Sequence, residues 1–412
     1  MSDETATQPR SLSIESRPSE RYLELHRRFP TVEHLRVGAR RRAPAFSFEC
    51  ADGGAGADRG IKRNWEGLDA VELVPRYGAL SAAPPTEIEL FGQRYAAPIG
   101  MAPMGSPAIV WPGADALLAA AAQRARVPYT LSAVAGLSIE CAGEIAPDVF
   151  WFQLYRYAKR DHAVGVDLMR RAQTAGARAL VLTLDVTVRT TRTREVLAGI
   201  TTPFRFTPAM VLDALSCPAY LMAFLRNGIP RFINFTKYAG EHQGVNEMVS
   251  FMQSEMSGAF TWEDVARYRD LWKLPLVVKG ILHPKDAEMA VALGVDGIWV
   301  SNHGGRQVEG LPAAIDALPG VVAVVGKRAS ILFDSGVRSG LDVVRALAMG
   351  AQAAFAGKAF LWGLGALGEH GPTHTIDLFM DEIRSTLCQL GVHDIAETAT
   401  AAIRHPGALS VT

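Results

Sequence analysis

From about residue 95 onward the chain repeats one unit: a short apolar run, a polar or glycine-bearing loop, then a stretch with helical periodicity. The apolar runs are Ala97–Pro103, Tyr129–Ala133, Val149–Tyr155, Ala179–Val186, Leu274–Gly280, Gly297–Asn302, Ser330–Ser335 and Ala353–Lys358. Helix candidates between them include Asp115–Arg126, Asp161–Ala175, Thr261–Trp272, Pro284–Leu293 and Gly340–Met349. Strands covered on both faces read as continuous apolar runs, and parallel neighbours need a helical crossover. Eight such units in series predict an α/β fold closed into a (β/α)8 TIM barrel. A doubly wound open sheet is the competing arrangement, but no GxGxxG follows the first strand.

One interval breaks the rhythm. About 90 residues separate the fourth run from the fifth, far more than an ordinary connection needs. The stretch 189–260, with helical pieces at Pro208–Leu215 and Pro218–Arg226, predicts a lid over the barrel mouth. Its far half reads equally well as a peripheral packing insertion. The expected division is an N-terminal extension over 1–60 with a polar, disordered first part, a barrel over 61–400 carrying the 189–260 insertion, and a tail over 401–412.

Charge and cysteine usage narrow the class. Lys+Arg and Asp+Glu both number 42, so no global basic field exists to recruit nucleic acid. Cys50, Cys141, Cys217 and Cys388 form no CxxC pair, which argues against a zinc site and a disulfide framework and suits a reducing cytoplasm. No apolar run reaches the roughly 18 residues of a membrane span, and the N-terminus lacks the apolar centre of a secretory signal. The expected location is cytoplasmic.

In a TIM barrel the active site sits at the C-terminal strand ends. The residues there are Met104 and Gly105, just past Pro103, after strand one; Ser132 on strand two; Gln153 and Tyr155 on strand three; and Thr183 and Asp185, then Arg192, on and after strand four. Lys279 ends strand five; Ser301, His303 and Arg306 follow strand six; Asp334, Ser335, Gly336 and Arg338 follow strand seven; Gly357 and Lys358 follow strand eight. Any one of these reads as a satisfied rim group. Polar groups at all eight ends cost free energy unless a large polar ligand meets them. DSGVRSG and AGK, after strands seven and eight, suit a phosphate: glycines admit backbone N–H groups, and Arg338 and Lys358 add charge.

SNHGGR is the sharpest segment. An imidazole titrates near ~6.5, which suits a general base at neutral pH. Glycines beside His303 permit a tight turn, and Arg306 is placed to hold a carboxylate through its planar fork. Asp185 is the candidate partner of His303. Lys279, at the end of a wholly apolar strand, needs an anion: a reduced flavin ring or a rim carboxylate.

With FECADGGA, PIGMAPMG, TLSA, WFQLY, LTLDV, VVKG, SNHGGR, DSGVRSG and GK on one chain, the sequence resembles the FMN-dependent 2-hydroxy-acid oxidases and dehydrogenases. That family includes glycolate oxidase, lactate monooxygenase, mandelate dehydrogenase and hydroxymandelate oxidase. The resemblance runs from about Phe48 to about Leu390, and ALVLTLDV with TWEDVARYRDLW is most similar to the mandelate branch. It implies FMN-dependent oxidation of an L-2-hydroxy acid to the 2-oxo acid. His303 would be the base, Asp185 its support, Tyr155 a bond to the substrate oxygen, and Arg192 and Arg306 the carboxylate anchors. Lys279 would stabilise reduced flavin. Pro103, Met104, Gly105, Ser132, Gln153, Thr183 and Ser301 would line the cofactor, and Asp334, Ser335, Gly336, Arg338, Gly357 and Lys358 its ribityl phosphate. A homotetramer is also implied. The electron acceptor stays open among dioxygen, a quinone, a cytochrome and a carrier.

The sequence departs from the family at several places. Cys50 stands where a carboxylate-binding Tyr is usual; a thiol is a weak donor, and a lost charge-assisted bond costs roughly 1.5–3 kcal/mol. Lys358 replaces an Arg. Ser335 replaces a Gly, read as a mild change. Val134 stands where glycolate oxidase carries Trp, which widens the pocket for an aryl or other bulky side chain. Cys50 also keeps open an alternative, an FMN oxidase of a related amine or modified peptide.

Overall fold

The computed structural model describes residues 19–409 except 79–82, 189, 201–204, 206, 240–243 and 257. The expected disordered lead-in falls on residues 1–18, outside that range. Each apolar run carries one strand: β1 (Ile99–Met101), β2 (Tyr129–Ser132), β3 (Phe150–Leu154), β4 (Leu180–Thr183), β5 (Leu276–Ile281), β6 (Gly297–Val300), β7 (Ser330–Phe333) and β8 (Ala353–Ala356). They pair in parallel, in chain order, and close between β8 and β1. The fold is a (β/α)8 TIM barrel. Seven of the strands stop short of the end of their runs, whose last residues enter the loops that carry the site; β5 instead continues one residue past Gly280.

Before the barrel come α1 (Glu20–Arg28), α2 (Val32–Arg42), α3 (Ala45–Asp52) and α4 (Arg59–Asp69). Helices α5 (Ala114–Ala125), α6 (Ile139–Ile145) and α7 (Lys159–Thr174) follow β1 to β3. The long interval after β4 holds α8 (Thr193–Leu197), α9 (Pro208–Leu215), α10 (Pro218–Asn227), α11 (Thr236–Ala239) and α12 (Val245–Glu255). Then α13 (Trp262–Leu271) leads into β5, α14 (Pro284–Ala292), α15 (Ala314–Val325) and α16 (Gly340–Ala348) follow β5 to β7, and α17 (Lys358–Leu367) and α18 (Gly371–Leu390) close the chain over β8. Helix starts follow local chemistry. Thr261 and Asp264 cap α13 reciprocally, and Ser339 accepts from the Asp342 amide at the start of α16.

The N-terminal end of the barrel is sealed with rings. Trp299 lies 4.1 Å from Phe355, Phe355 5.6 Å from Trp151, and Trp151 5.5 Å from Phe91, centroid to centroid. Phe91 tips a short hairpin whose Tyr95 hydroxyl accepts from the Trp151 indole at 2.9 Å. Gly100 makes room for this packing: a Cβ there would stand 2.3 Å from the Phe355 ring.

The N-terminal helices are bolted onto the opposite end. Asn64 of α4 and Asn302 exchange side-chain amide bonds of 2.8 and 2.6 Å. Residue 60 therefore lies inside an element, α4, that props the turn after β6.

Candidate functional site

At the C-terminal end of the barrel the polar strand ends form a connected set. Ser132 donates to the Gln153 carbonyl at 2.7 Å, and the Gln153 amide donates to Thr183 at 2.9 Å. Lys279, buried at the end of β5, reaches Asp334 and Ser301, both at 2.7 Å. Its anion is thus a rim carboxylate from β7. Ser301 in turn donates to Asp334 at 2.5 Å.

The turn after β6 is held in a conformation that only glycine adopts freely. His303, Gly304 and Gly305 have φ of 58°, 64° and 72°. A Cβ on Gly305 would stand 2.6 Å from the Ile61 amide of α4, so glycine is required there. Backbone N–H groups keep the turn in place: Ser301 Oγ accepts from His303 at 3.0 Å, and Ser335 Oγ accepts from Asn302 at 3.1 Å and Gly304 at 3.0 Å. Ser335 itself sits at φ 87°. It is more than the mild change the sequence suggests, because its hydroxyl carries two amides of the His303 turn.

His303 Nδ1 lies 3.0 Å from Asp185 Oδ1. Burial alone would push the Asp185 carboxyl up, but His303 and Lys279 outweigh it and hold it below the usual range. Its second oxygen is buried without a partner. Tyr155 lines the same cavity, and burial, with Asp185 adding to it, pushes its hydroxyl up to about 12. It stays a neutral donor at physiological pH.

Arg192 and Arg306 also come together here, on a residue that the sequence reading missed. Glu195 Oε1 accepts from Arg306 at 2.6 Å and from Arg192 at 3.1 Å. Burial pushes the Glu195 carboxyl up, but the two guanidiniums hold it below the usual range. A signal existed: Glu195 follows Arg192 by three residues, one helical turn, at the start of α8. Arg306 further donates to the Cys50 carbonyl at 3.1 Å and the Gly53 carbonyl at 2.6 Å. Arg192 Nε is buried with no partner. Cys50 lines the cavity, its thiol pushed up by burial and by Glu195.

The two cations expected at a phosphate both have partners within the protein. Lys358 donates to the carbonyls of Ala51, Asp52 and Gly53 at 3.1, 2.8 and 2.7 Å, closing the C-terminal end of α3. Burial holds its ammonium well below the usual lysine range. Arg338 pairs with Asp342 at 3.2 Å and Asp69 at 2.8 Å.

The cavity over these groups is about 910 Å³. Its barrel side includes Gly105, Val134, Tyr155 and His303; its outer wall includes Met210 of α9, Phe224 of α10 and Met252 of α12. The residues suit a flat, hydrogen-bonding ring such as a flavin. A Cβ on Gly357 would touch nothing nearer than Met104 at 3.6 Å, and one on Gly304 nothing within 4 Å, so the wall is bare there. Ser132, Gln153, Thr183 and Lys279 supply donors and acceptors below, and two buried polar atoms await partners.

Comparison with known proteins agrees. Residues 39–405 match the model of the FMN-dependent dehydrogenase family. An L-lactate dehydrogenase of Caulobacter vibrioides (strain NA1000 / CB15N) is 38% identical over 363 residues, 88% of this chain and 94% of that protein. An L-lactate dehydrogenase of Pseudomonas paraeruginosa (strain DSM 24068 / PA7) is 36% identical over 378 residues, 90% of this chain and 98% of that protein. Among solved structures, a monotopic membrane protein, (S)-mandelate dehydrogenase, superposes with TM-score 0.86 at 32% identity, covering 91% of this chain and 99% of that one. A mandelate oxidase variant with 2-hydroxy-phenylacetamide does so with TM-score 0.77 at 30% identity, covering 92% and 99%. The chain therefore belongs to the FMN-dependent dehydrogenases, oxidoreductases of the 2-hydroxy-acid type.

Proposed function

We propose that this enzyme oxidises an L-2-hydroxy acid with a bulky or aryl side chain to the 2-oxo acid, with His303 as the base. The carrying observation is the His303–Asp185 pair at 3.0 Å, opening into one cavity with Tyr155, Arg192 and Arg306. FMN, when bound, accepts the two electrons released from the α-carbon. His303 Nε2 takes the substrate proton; Asp185, fixed on Nδ1, orients the ring and stabilises its charged form. Tyr155 donates to the substrate oxygen, and the free N–H groups of Arg192 and Arg306 take the carboxylate. Met104, Gly105, Ser132, Gln153, Thr183, Lys279 and Ser301 would hold the ring system. Asp334, Gly336 and Gly357 would hold the ribityl phosphate, with Arg338 and Lys358 balancing charge from behind. Val134 sits beside Gly105 on the cavity wall and leaves the space that a phenyl group would fill.

The test is anaerobic mixing of the yellow holoenzyme with a panel of 2-hydroxy acids while following the flavin absorbance. Rapid bleaching by mandelate-like acids is expected. No bleaching by any 2-hydroxy acid, with bleaching by an amine, would instead favour the second reading. That reading, a substrate without a carboxylate, is supported by Glu195 occupying both arginines; the unpartnered Arg192 Nε speaks for a further acceptor, and so for the acid.

The acceptor we propose is a membrane-soluble quinone. Helices α9 and α10 bend by 105° and leave Leu212 67% and Leu225 68% exposed, with Leu215 and Met222 beside them. Arg42, which ends the Arg40–Arg42 run, shares a cleft with Met222 and Arg226 of α10. Exposed apolar residues with Arg226 beside them suit an anionic bilayer surface. Among the described residues no single helix is long and apolar enough to cross a membrane, so the contact would be peripheral. Co-flotation with anionic vesicles, abolished in Leu212→Glu/Leu225→Glu, is the expected outcome; equal flotation of the variant would remove the proposal.

A further inference from the structure

We propose that Glu195 is a specificity-determining residue: its buried carboxylate matches the arginine pair to a single substrate carboxylate and rejects 2-hydroxy acids whose side chain carries a second negative charge. The inference rests on the reading that Arg192 and Arg306 anchor the substrate acid.

The argument is a charge count with geometry. Two guanidiniums line this end of the cavity. Lys358, behind them, is closed off by three backbone carbonyls. Glu195 bonds both guanidiniums through one oxygen, at 2.6 and 3.1 Å, with only 8% of its side chain exposed. The pair therefore presents one net positive charge. The substrate carboxylate, meeting the remaining N–H groups, brings the cluster to neutrality. Arg306 has five N–H donors, and three are occupied by Cys50, Gly53 and Glu195. Arg192 Nε is buried and unpartnered. Donors thus remain for the substrate carboxylate. A second would meet the fixed anions Glu195 and Asp185 at this end, and the third arginine on the lining, Arg231 in the loop after α10, makes no ion pair with either. Like-charge repulsion of this kind opposes the second carboxylate.

Glu195 also fixes where the arginines stand. A glutamine keeps an oxygen acceptor but drops the charge; an aspartate keeps the charge on a shorter arm. Those two variants separate charge balance from simple support.

The experiment measures kcat/KM on the holoenzyme for two nearly isosteric acids, L-malate and L-2-hydroxy-4-methylpentanoate, in wild type, Glu195→Gln and Glu195→Asp. The malate-to-methylpentanoate ratio should rise about tenfold or more in Glu195→Gln and stay within about threefold of wild type in Glu195→Asp. A ratio unmoved in Glu195→Gln, or moved as far in Glu195→Asp, overturns the proposal. A measurement on wild type alone keeps it testable should the variants fail to fold. The second carboxyl of malate protonates at about pH 4 to 5, so the ratio should climb as pH falls from 7 through that range; a flat ratio also overturns it. Failure of the underlying reading looks different: Arg306→Lys would then leave kcat/KM for methylpentanoate unchanged.

Discussion

The two ends of this barrel are made from the same eight strands and obey opposite rules. At the N-terminal end Trp151, Trp299 and Phe355 fill the interior and Phe91 plugs it from below. At the C-terminal end, a few residues further along each strand, stand Ser132, Gln153, Thr183, Lys279, Ser301 and Asp334, all buried and all polar. The first end is close-packed, so it tolerates no added atom. The second is a hydrogen-bonded framework in which, among the described residues, Asp185 Oδ2 and Arg192 Nε are buried without a partner beside the cavity. Stability is concentrated at one end and chemistry at the other. Substitutions should therefore separate cleanly into those that change folding and those that change turnover.

The largest effect expected is at the mouth. His303→Ala should retain FMN and the fold but slow flavin reduction by about 10²–10⁴-fold, as read by stopped-flow absorbance. Near-normal reduction would mean that His303 only supports the turn. Arg306→Lys should lower kcat/KM about tenfold to a hundredfold, mostly through KM, because lysine cannot reproduce three directed bonds and a fork. Unchanged kinetics would move the carboxylate elsewhere.

At the sealed end, Gly100→Ala should leave kcat untouched yet destabilise the fold by about 1–3 kcal/mol, the usual cost of overpacking, since its methyl would meet the Phe355 ring. Denaturant unfolding alongside steady-state assays decides this, and loss of turnover in a stable protein would break the division between the ends. Val134→Trp should act the other way: normal stability, with kcat/KM for mandelate down about tenfold relative to lactate as the pocket fills. Equal effects on both acids would show that the phenyl group does not lie against Val134.

The smallest effect sharpens the comparison, because it belongs to a buried mouth carboxylate with no ion pair among the described residues. Asp115, in the first turn of α5, accepts from the Gly136 amide at 3.0 Å, and burial pushes it up to about 7 despite that bond. Its folded pKa exceeds the unfolded one, so the folded state loses stability as pH rises from about 4 to about 7. Asp115→Asn should therefore stabilise the protein by about 1–2 kcal/mol at pH 8 and by little at pH 4. Equal shifts in Tm at both pH values would contradict the titration.

What the sequence determined by itself was everything with a short period or a local motif. Eight apolar runs specify strands because both faces of each must be dry, and intervals of helical length specify parallel crossovers. The chemistry at the strand ends was legible because a barrel exposes one end of every strand to one ligand, so His303, Asp185, Tyr155, Arg192 and Arg306 stand out from the sequence alone. What only the tertiary structure decided was who holds whom. Lys279 meets Asp334, Lys358 turns back to α3, Arg338 pairs with Asp69 and Asp342, and Glu195 takes both arginines. Lys358 with Asp52, Arg338 with Asp69 and Arg306 with Glu195 lie 306, 269 and 111 positions apart, which no spacing rule encodes; only Arg192–Glu195 and Arg338–Asp342 stand at helical spacing. Ser335 shows the same limit: as a letter it is a small change from glycine, and only at φ 87°, with two amides of the His303 turn on its hydroxyl, does it become part of the site.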